Sequence, residues 1–366
     1  MVQARRPPYL SWTGLVPLLA VIVLAAAWGR ELPATVLGLV AVLLAGAVLA
    51  AVHHAEVVAH RVGEPYGSLV LAVAVTVIEV ALIVTLMIGG KGATETLARD
   101  TVFAAVIITC NGIVGLSILA GIRRGSVVMF NAEGTGAALA TVATLSTLCL
   151  VVPRFTISSP GPVFSPAQLA FAAVTALGLY VLFVLVQTGR HRDYFLPVTA
   201  SGVAAAAEEH APPPSTGVAL TSLLLLLVAL VAVVGNAKLV SPAIERGVAA
   251  AGLPVSVVGV VIALLVLLPE TLAAVRAAQR GLMQISLNLA FGSAMASIGL
   301  TIPTIAVMSI WLPVPLHLGL DGTHIVLLAL TCLVAVLTVV PGRATLLQAG
   351  VHLALLAVYV FLAVSP

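Results

Sequence analysis

Two glutamates stand where an apolar chain rarely keeps an acid. Glu79 follows Thr76-Val77-Ile78, and Glu270 follows Leu267-Leu268-Pro269, each deep inside a hydrophobic run. A charge at the centre of a bilayer costs about 2.5–3.5 kcal/mol on insertion scales, so such a group faces a cavity or a partner. Neither glutamate has a Lys or Arg within its own run. The natural partners are a cation, a proton or each other. Desolvation favours the neutral acid, and two neighbouring carboxylates titrate as a pair. A bound cation offsets the same desolvation. Proton and cation then compete for the same oxygens, which is the chemistry of exchange.

The residues around the acids suit a hard cation. Ca²⁺ takes six to eight oxygen ligands. The metal and proton candidates are Glu79 and Glu270 with amide oxygens from Asn111 and Asn288. Thr76 lies three residues before Glu79, on the same helical face. Pro269 has no N–H, so the Leu265 carbonyl loses its helical donor about one turn from Glu270. Ser293 follows Asn288 closely. Nitrogen and sulfur ligands are missing around these positions, which disfavours zinc. Secondary candidates lie at the ends of apolar runs. Glu133 and Asp321 either stabilise helix N-termini or gate proton entry, and His324 relays protons or packs at the interface. His53, His54 and His60 with Glu56 read as an interfacial cluster. Gly112/Gly115 and Gly292/Ala296/Gly299 read as close-packing stripes. Cys110, Cys149 and Cys332 read as small apolar packing residues.

The elements that must position these groups follow from composition. Of 366 residues, 61% are apolar and 8% charged, with a net charge of +3 and a mean hydropathy of +1.22. Soluble domains carry about 25% charged residues, so a water-soluble domain is excluded. Low polarity excludes disorder, and continuous apolar runs exclude an alternating outer-membrane barrel. The basic residues are scattered between apolar runs, a topology signal rather than a nucleic-acid patch. Eleven spans are expected, near 10–28, 33–59, 66–89, 100–121, 133–152, 166–187, 217–239, 253–275, 284–311, 321–340 and 344–364. The first reads as a retained helix rather than a cleaved leader.

The polar landmarks recur in order. Asn111-x-x-x-Gly115 follows Glu79, and Asn288-x-x-x-Gly292 follows Glu270. The next spans open on Glu133-Gly134-Thr135 and Asp321-Gly322-Thr323, and each ends on Val-Val-Pro, at Val151-Val152-Pro153 and Val339-Val340-Pro341. Five spans per copy is an odd number, so the second copy enters the membrane from the opposite side. That is the inverted-repeat plan of secondary transporters, which bind at the repeat interface. The expected organisation is an extra transmembrane helix in 1–30, a first five-helix repeat in 31–187, a cytoplasmic linker in 188–216 and a second repeat in 217–366. Within the linker, Glu208, Glu209 and His210 are either a solvated loop or a regulatory cation site. With the N-terminus inside, ten Lys/Arg fall on the cytoplasmic side and six outside. The positive-inside rule then puts the N-terminus in the cytoplasm and the C-terminus outside.

Several ordered motifs carry a family resemblance. Gly63-Glu64-Pro65-Tyr66-Gly67 through Val77-Ile78-Glu79, then Asn111-Gly112 and Phe130-Asn131-Ala132-Glu133-Gly134-Thr135, resemble bacterial ChaA-type calcium/proton antiporters. So do Leu268-Pro269-Glu270-Thr271, Ser286-Leu287-Asn288 and Asp321-Gly322-Thr323-His324. These antiporters belong to the calcium/cation antiporter superfamily, and the resemblance runs from about residue 30 to the end. It implies two inverted five-helix repeats, with the repeat acids at Glu79 and Glu270 and the repeat amides at Asn111 and Asn288. It also implies proton-driven export of Ca²⁺, Na⁺ or K⁺. One departure is Ile78, which stands where many members have proline.

The expectation is a secondary antiporter in a bacterial cytoplasmic (inner) membrane, in contact with the lipid bilayer and not an enzyme. It needs no cofactor beyond the transported cation and H⁺ and binds no nucleic acid. The chain has no G-x-x-x-x-G-K-[ST] loop for ATP and no H-E-x-x-H or G-x-S-x-G motif for hydrolysis. A cation channel and a structural membrane subunit are the alternatives.

Overall fold

The computed structural model describes residues 11–30, 32–63, 66–89, 94–122, 126–197, 213–254, 256–311 and 316–365. Among them, nine helices are long and apolar enough to cross a membrane, and two shorter apolar helices, Trp12–Ala27 and Ala72–Ile88, complete eleven. In chain order the elements are α1 (Trp12–Ala27), α2 (Ala34–Val62), α3 (Tyr66–Gly89), α4 (Leu97–Ile107) and α5 (Val114–Ile122). A π-helical segment, Ile108–Ile113, joins α4 to α5 into one span. Then follow β1 (Val128–Met129), α6 (Ala132–Ser146), α7 (Pro166–Leu185), α8 (Thr216–Ala250), α9 (Ser256–Gln279), α10 (Met283–Gly299), α11 (Thr301–Met308), α12 (Gly322–Val339), β2 (Arg343–Ala344) and α13 (Leu346–Val364).

Local chemistry sets the helix starts. Ser215 caps α8 and Asp321 caps α12, while Ser165 and Gln168 form a capping box on α7. Each supplies an oxygen to a first-turn N–H that lacks a helical partner. Two spans differ from the sequence expectation. The polar stretch from Lys238 to Arg246 continues α8 instead of ending it, since Pro242 is accommodated inside the helix. The run 284–311 is not one helix: it breaks at Leu300 into α10 and α11.

The chain forms two compact units, and neither follows a sequence half. The first comprises Met1–Thr94 with Ala211–Gly252, the second Glu95–His210 with Leu253–Pro366. In the first unit α1 packs against α2 and α8, and α2 also packs against α3 and α8. Polar bonds lock α1 in place: His54 Nε2 donates to the Thr13 carbonyl at 3.0 Å, and Asn236 Nδ2 to the Ala20 carbonyl at 3.1 Å. Such cross-helix bonds are the usual polar glue of membrane bundles.

In the second unit α9 packs against α4, the π segment, α5, α10 and α13. A two-residue antiparallel ribbon pairs Val128 with Ala344 and Met129 with Arg343. Helix α7 leaves Phe171, Val174, Leu177, Val181 and Leu185 exposed, a stripe at helical spacing. In water that stripe would be costly, whereas in a bilayer it meets lipid. The chain is a multi-pass membrane protein. All three cysteines are free thiols, Cys110 and Cys149 buried and Cys332 half-buried.

Candidate cation site

Both acids lie inside helices and are almost fully buried. Glu79 is 4% exposed on α3, with Thr76 one turn earlier and also buried. Glu270 is 9% exposed on α9. Helix α9 continues past Pro269 without a break. The proline still removes the N–H that would meet the Leu265 carbonyl, so that oxygen lacks its helical donor. Close by, Thr271 Oγ1 donates to the Leu267 carbonyl at 2.7 Å.

Asn111 is the fully buried centre of a polar network that sequence reading did not foresee. It sits in the π segment, where the widened turn projects side chains off the regular α-helical face. Its Nδ2 donates to Thr331 Oγ1 on α12 at 3.0 Å, and its Oδ1 faces His352 Nδ1 on α13 at 3.1 Å. His352 Nε2 in turn meets Thr338 Oγ1 on α12 at 3.0 Å. Two glycines let α13 come this close. A Cβ at Gly112 would stand 3.2 Å from Leu356, and one at Gly115 2.9 Å from Leu353 and 3.2 Å from the Ala349 carbonyl. The first small-residue stripe is therefore a close contact. In the second, Gly299 packs on Tyr180, but Gly292 faces open space, so that stripe is not continuous packing.

Asn288 occupies a different kind of place, and the two amides do not form a matched pair. It lies in the second turn of α10, with Nδ2 donating to the Phe195 carbonyl at 2.7 Å and Oδ1 accepting from Gln284 Nε2 at 2.9 Å. Gln284 also accepts from the Asn131 backbone N–H at 2.7 Å and donates to Thr135 at 3.2 Å. Asn288 thus belongs to a brace that ties the start of α10 to the start of α6. Spacing alone aligned it with Asn111; its neighbours separate them. Ser293 lies half-buried further along α10.

The acids at the span entrances divide in the same way. Asn131, not Glu133, caps α6, and Glu133 is exposed in its first turn. Asp321 caps α12 by accepting from the His324 backbone N–H at 2.9 Å, and its second oxygen meets His324 Nδ1 at 2.7 Å. Partial burial works against the Asp321 charge, but the His324 bonds and the nearby Arg99 outweigh it and hold the carboxyl below the usual range. The His324 ring packs 4.9 Å from Phe103 and 6.3 Å from Tyr359. Arg99, read from sequence as loop, starts α4 instead. It pairs with buried Asp100 at 2.8 Å and reaches the Gly319 carbonyl at 3.2 Å. Glu208, Glu209 and His210 lie outside the described residues.

Comparison with known proteins agrees with this architecture. The profile of the sodium/calcium exchanger protein family matches residues 32–189 and 221–365, two segments that omit α1. The y4hA protein of Sinorhizobium fredii, named as a candidate ionic transporter, is 42% identical over 368 residues, covering 100% of this chain and 99% of its own. ChaA of Escherichia coli, a sodium-potassium/proton antiporter, is 32% identical over 351 residues, 94% of each chain. Among solved structures, native YfkE matches with a TM-score of 0.69 at 17% identity, over 96% of this chain and 97% of its own. The H⁺/Ca²⁺ exchanger CAX matches at 0.67 and 17% identity, over 96% and 91%. At that identity the likeness is one of fold, the inverted-repeat architecture. The chain belongs to the sodium/calcium exchanger protein family, within the calcium/cation antiporter superfamily.

Proposed function

We propose that this protein is a proton-coupled antiporter that exports Ca²⁺, or Na⁺ or K⁺, across the cytoplasmic membrane of a bacterium in exchange for H⁺. Glu79 and Glu270 alternately bind cation and proton. The observation that carries this reading is the pair of buried glutamates on corresponding helices of the two repeats, α3 and α9, in a chain of an exchanger family. One divalent cation or two protons neutralise two carboxylates equally, so either load removes the cost of a buried charge. Asn111 adds an amide oxygen, and the Leu265 carbonyl and Thr76 hydroxyl are further oxygen donors. Asn288 enters this reading as a brace through Gln284 and the Phe195 carbonyl. The N-terminus is cytoplasmic and the C-terminus external, as the ten-to-six distribution of Lys and Arg favours. The names of ChaA and CAX, one a sodium-potassium/proton antiporter and the other an H⁺/Ca²⁺ exchanger, support proton coupling and leave the cation as the quantity to measure.

The test is inside-out vesicles with a preset pH gradient, followed by a fluorescent pH probe while Ca²⁺, Na⁺ or K⁺ is added in turn. At least one cation should collapse the gradient, and Glu79→Gln and Glu270→Gln should each abolish the response. Cation flux without proton movement would make the protein a channel. No response to any cation in the wild type would overturn the antiporter reading.

A further inference from the structure

We propose that His352 is a positioning residue for the cation site, which it serves by orienting the Asn111 amide. This rests on the antiporter reading and on Asn111 as a cation ligand. The histidine is fully buried about 9 Å into α13, counting six residues from Leu346. An ionisable side chain at membrane depth is by default a functional candidate.

With Asn111 Nδ2 donating to Thr331, the amide oxygen is the atom that faces His352, so Nδ1 carries a hydrogen and donates to it at 3.1 Å. Nε2 accepts from the Thr338 hydroxyl at 3.0 Å, so the ring is held at both nitrogens. The Asn111 oxygen uses one lone pair on His352 and keeps the second for a cation.

Besides Thr338, the described side chains around the ring include Val114 and Ile118 of α5, Leu287 and Phe291 of α10, and Ala335 of α12, none of them charged.

The test measures apparent KM and maximal rate for Ca²⁺, Na⁺ and K⁺ exchange in the same vesicles. His352→Ala should raise KM about five- to tenfold, the loss of one orienting hydrogen bond, with the maximal rate nearly unchanged. His352→Asn keeps an N–H for Asn111 and should recover most of the affinity. Thr331→Val frees the other end of Asn111 and should raise KM. It serves as the second variant if His352→Ala fails to reach the membrane. An unchanged KM in His352→Ala or in Thr331→Val, or a His352→Asn variant no better than His352→Ala, overturns the positioning role. If wild type exchanges no cation, or the glutamate variants still exchange, the antiporter reading has failed instead.

Discussion

Gly259 of α9 stands against the backbone of Asp100 on α4: a Cβ at residue 259 would lie 3.0 Å from the Asp100 carbonyl carbon and 3.0 Å from the Thr101 nitrogen. Asp100 cannot give way easily, because Arg99 and Thr96 hold its carboxylate at 2.8 and 2.9 Å. This contact sets the distance between the helix that carries Glu270 and the span that carries Asn111. Gly259→Leu should destabilise the protein by about 1–3 kcal/mol, the usual cost of overpacking. It should also raise the KM for the transported cation. Thermal unfolding in detergent and vesicle transport, measured on the same preparation, check both effects.

The two asparagines should separate under substitution. Asn288→Ala removes the donor to the Phe195 carbonyl and the acceptor for one Gln284 N–H, and should cost about 1–3 kcal/mol of stability with KM unchanged. Asn111→Ala should raise KM, because it removes a proposed ligand. Equal effects of both variants on KM would restore Asn288 to the ligand set.

Pro269→Ala restores an N–H that can reach the Leu265 carbonyl. A proline inside a helix costs about 3 kcal/mol, so the variant should be as stable as wild type or more so. If the Leu265 oxygen faces the cation, the same variant should bind it more weakly. Unfolding temperature and apparent KM moving in opposite directions is the expected signature. A stability gain with unchanged KM would remove Leu265 from the site.

Asp321 gives a pH-dependent contribution whose sign is fixed. Its carboxyl sits below the ordinary 3.8 in the folded protein, so the charged form is the one that folding favours. That stability is present above the unfolded value and is lost as pH falls through the lower folded value. Asp321→Ala should cost about 0.5–2 kcal/mol at neutral pH, the range for losing a helix cap. The gap between wild type and variant should narrow below about pH 3.8. Unfolding temperature against pH for the two proteins checks it.

What could be read from the sequence was what is visible locally. Spans stand out because apolar runs and their Gly, Pro and Arg punctuation are contiguous, and Glu79 and Glu270 stand out because acids are rare in such runs. Asn-x-x-x-Gly spacing says nothing about what lies across the bundle, where the partners of Asn111 and Asn288 differ. Gln284, which organises that brace, has no motif of its own. His352 went unread for the same reason: one partner is 14 residues away and the other 241. A signal was present, however. His352 and Tyr359 are seven residues apart on the last span, and Thr331 and Thr338 are seven apart on the span before. Two polar heptads on consecutive antiparallel helices face one another when those helices pair.

The widened turn at Ile108–Ile113 also bears on which length changes the span can survive. An i→i+5 turn holds one residue more than an α-helical turn in nearly the same rise. Removing one codon within this stretch would close the turn to ordinary α-helix and leave the faces of α4 and α5 where they are. Elsewhere in a membrane helix the same deletion rotates everything beyond it by about 100°, one residue of a 3.6-residue turn. Span four therefore carries its amide in a stretch where a single-codon deletion would spare the packing on either side.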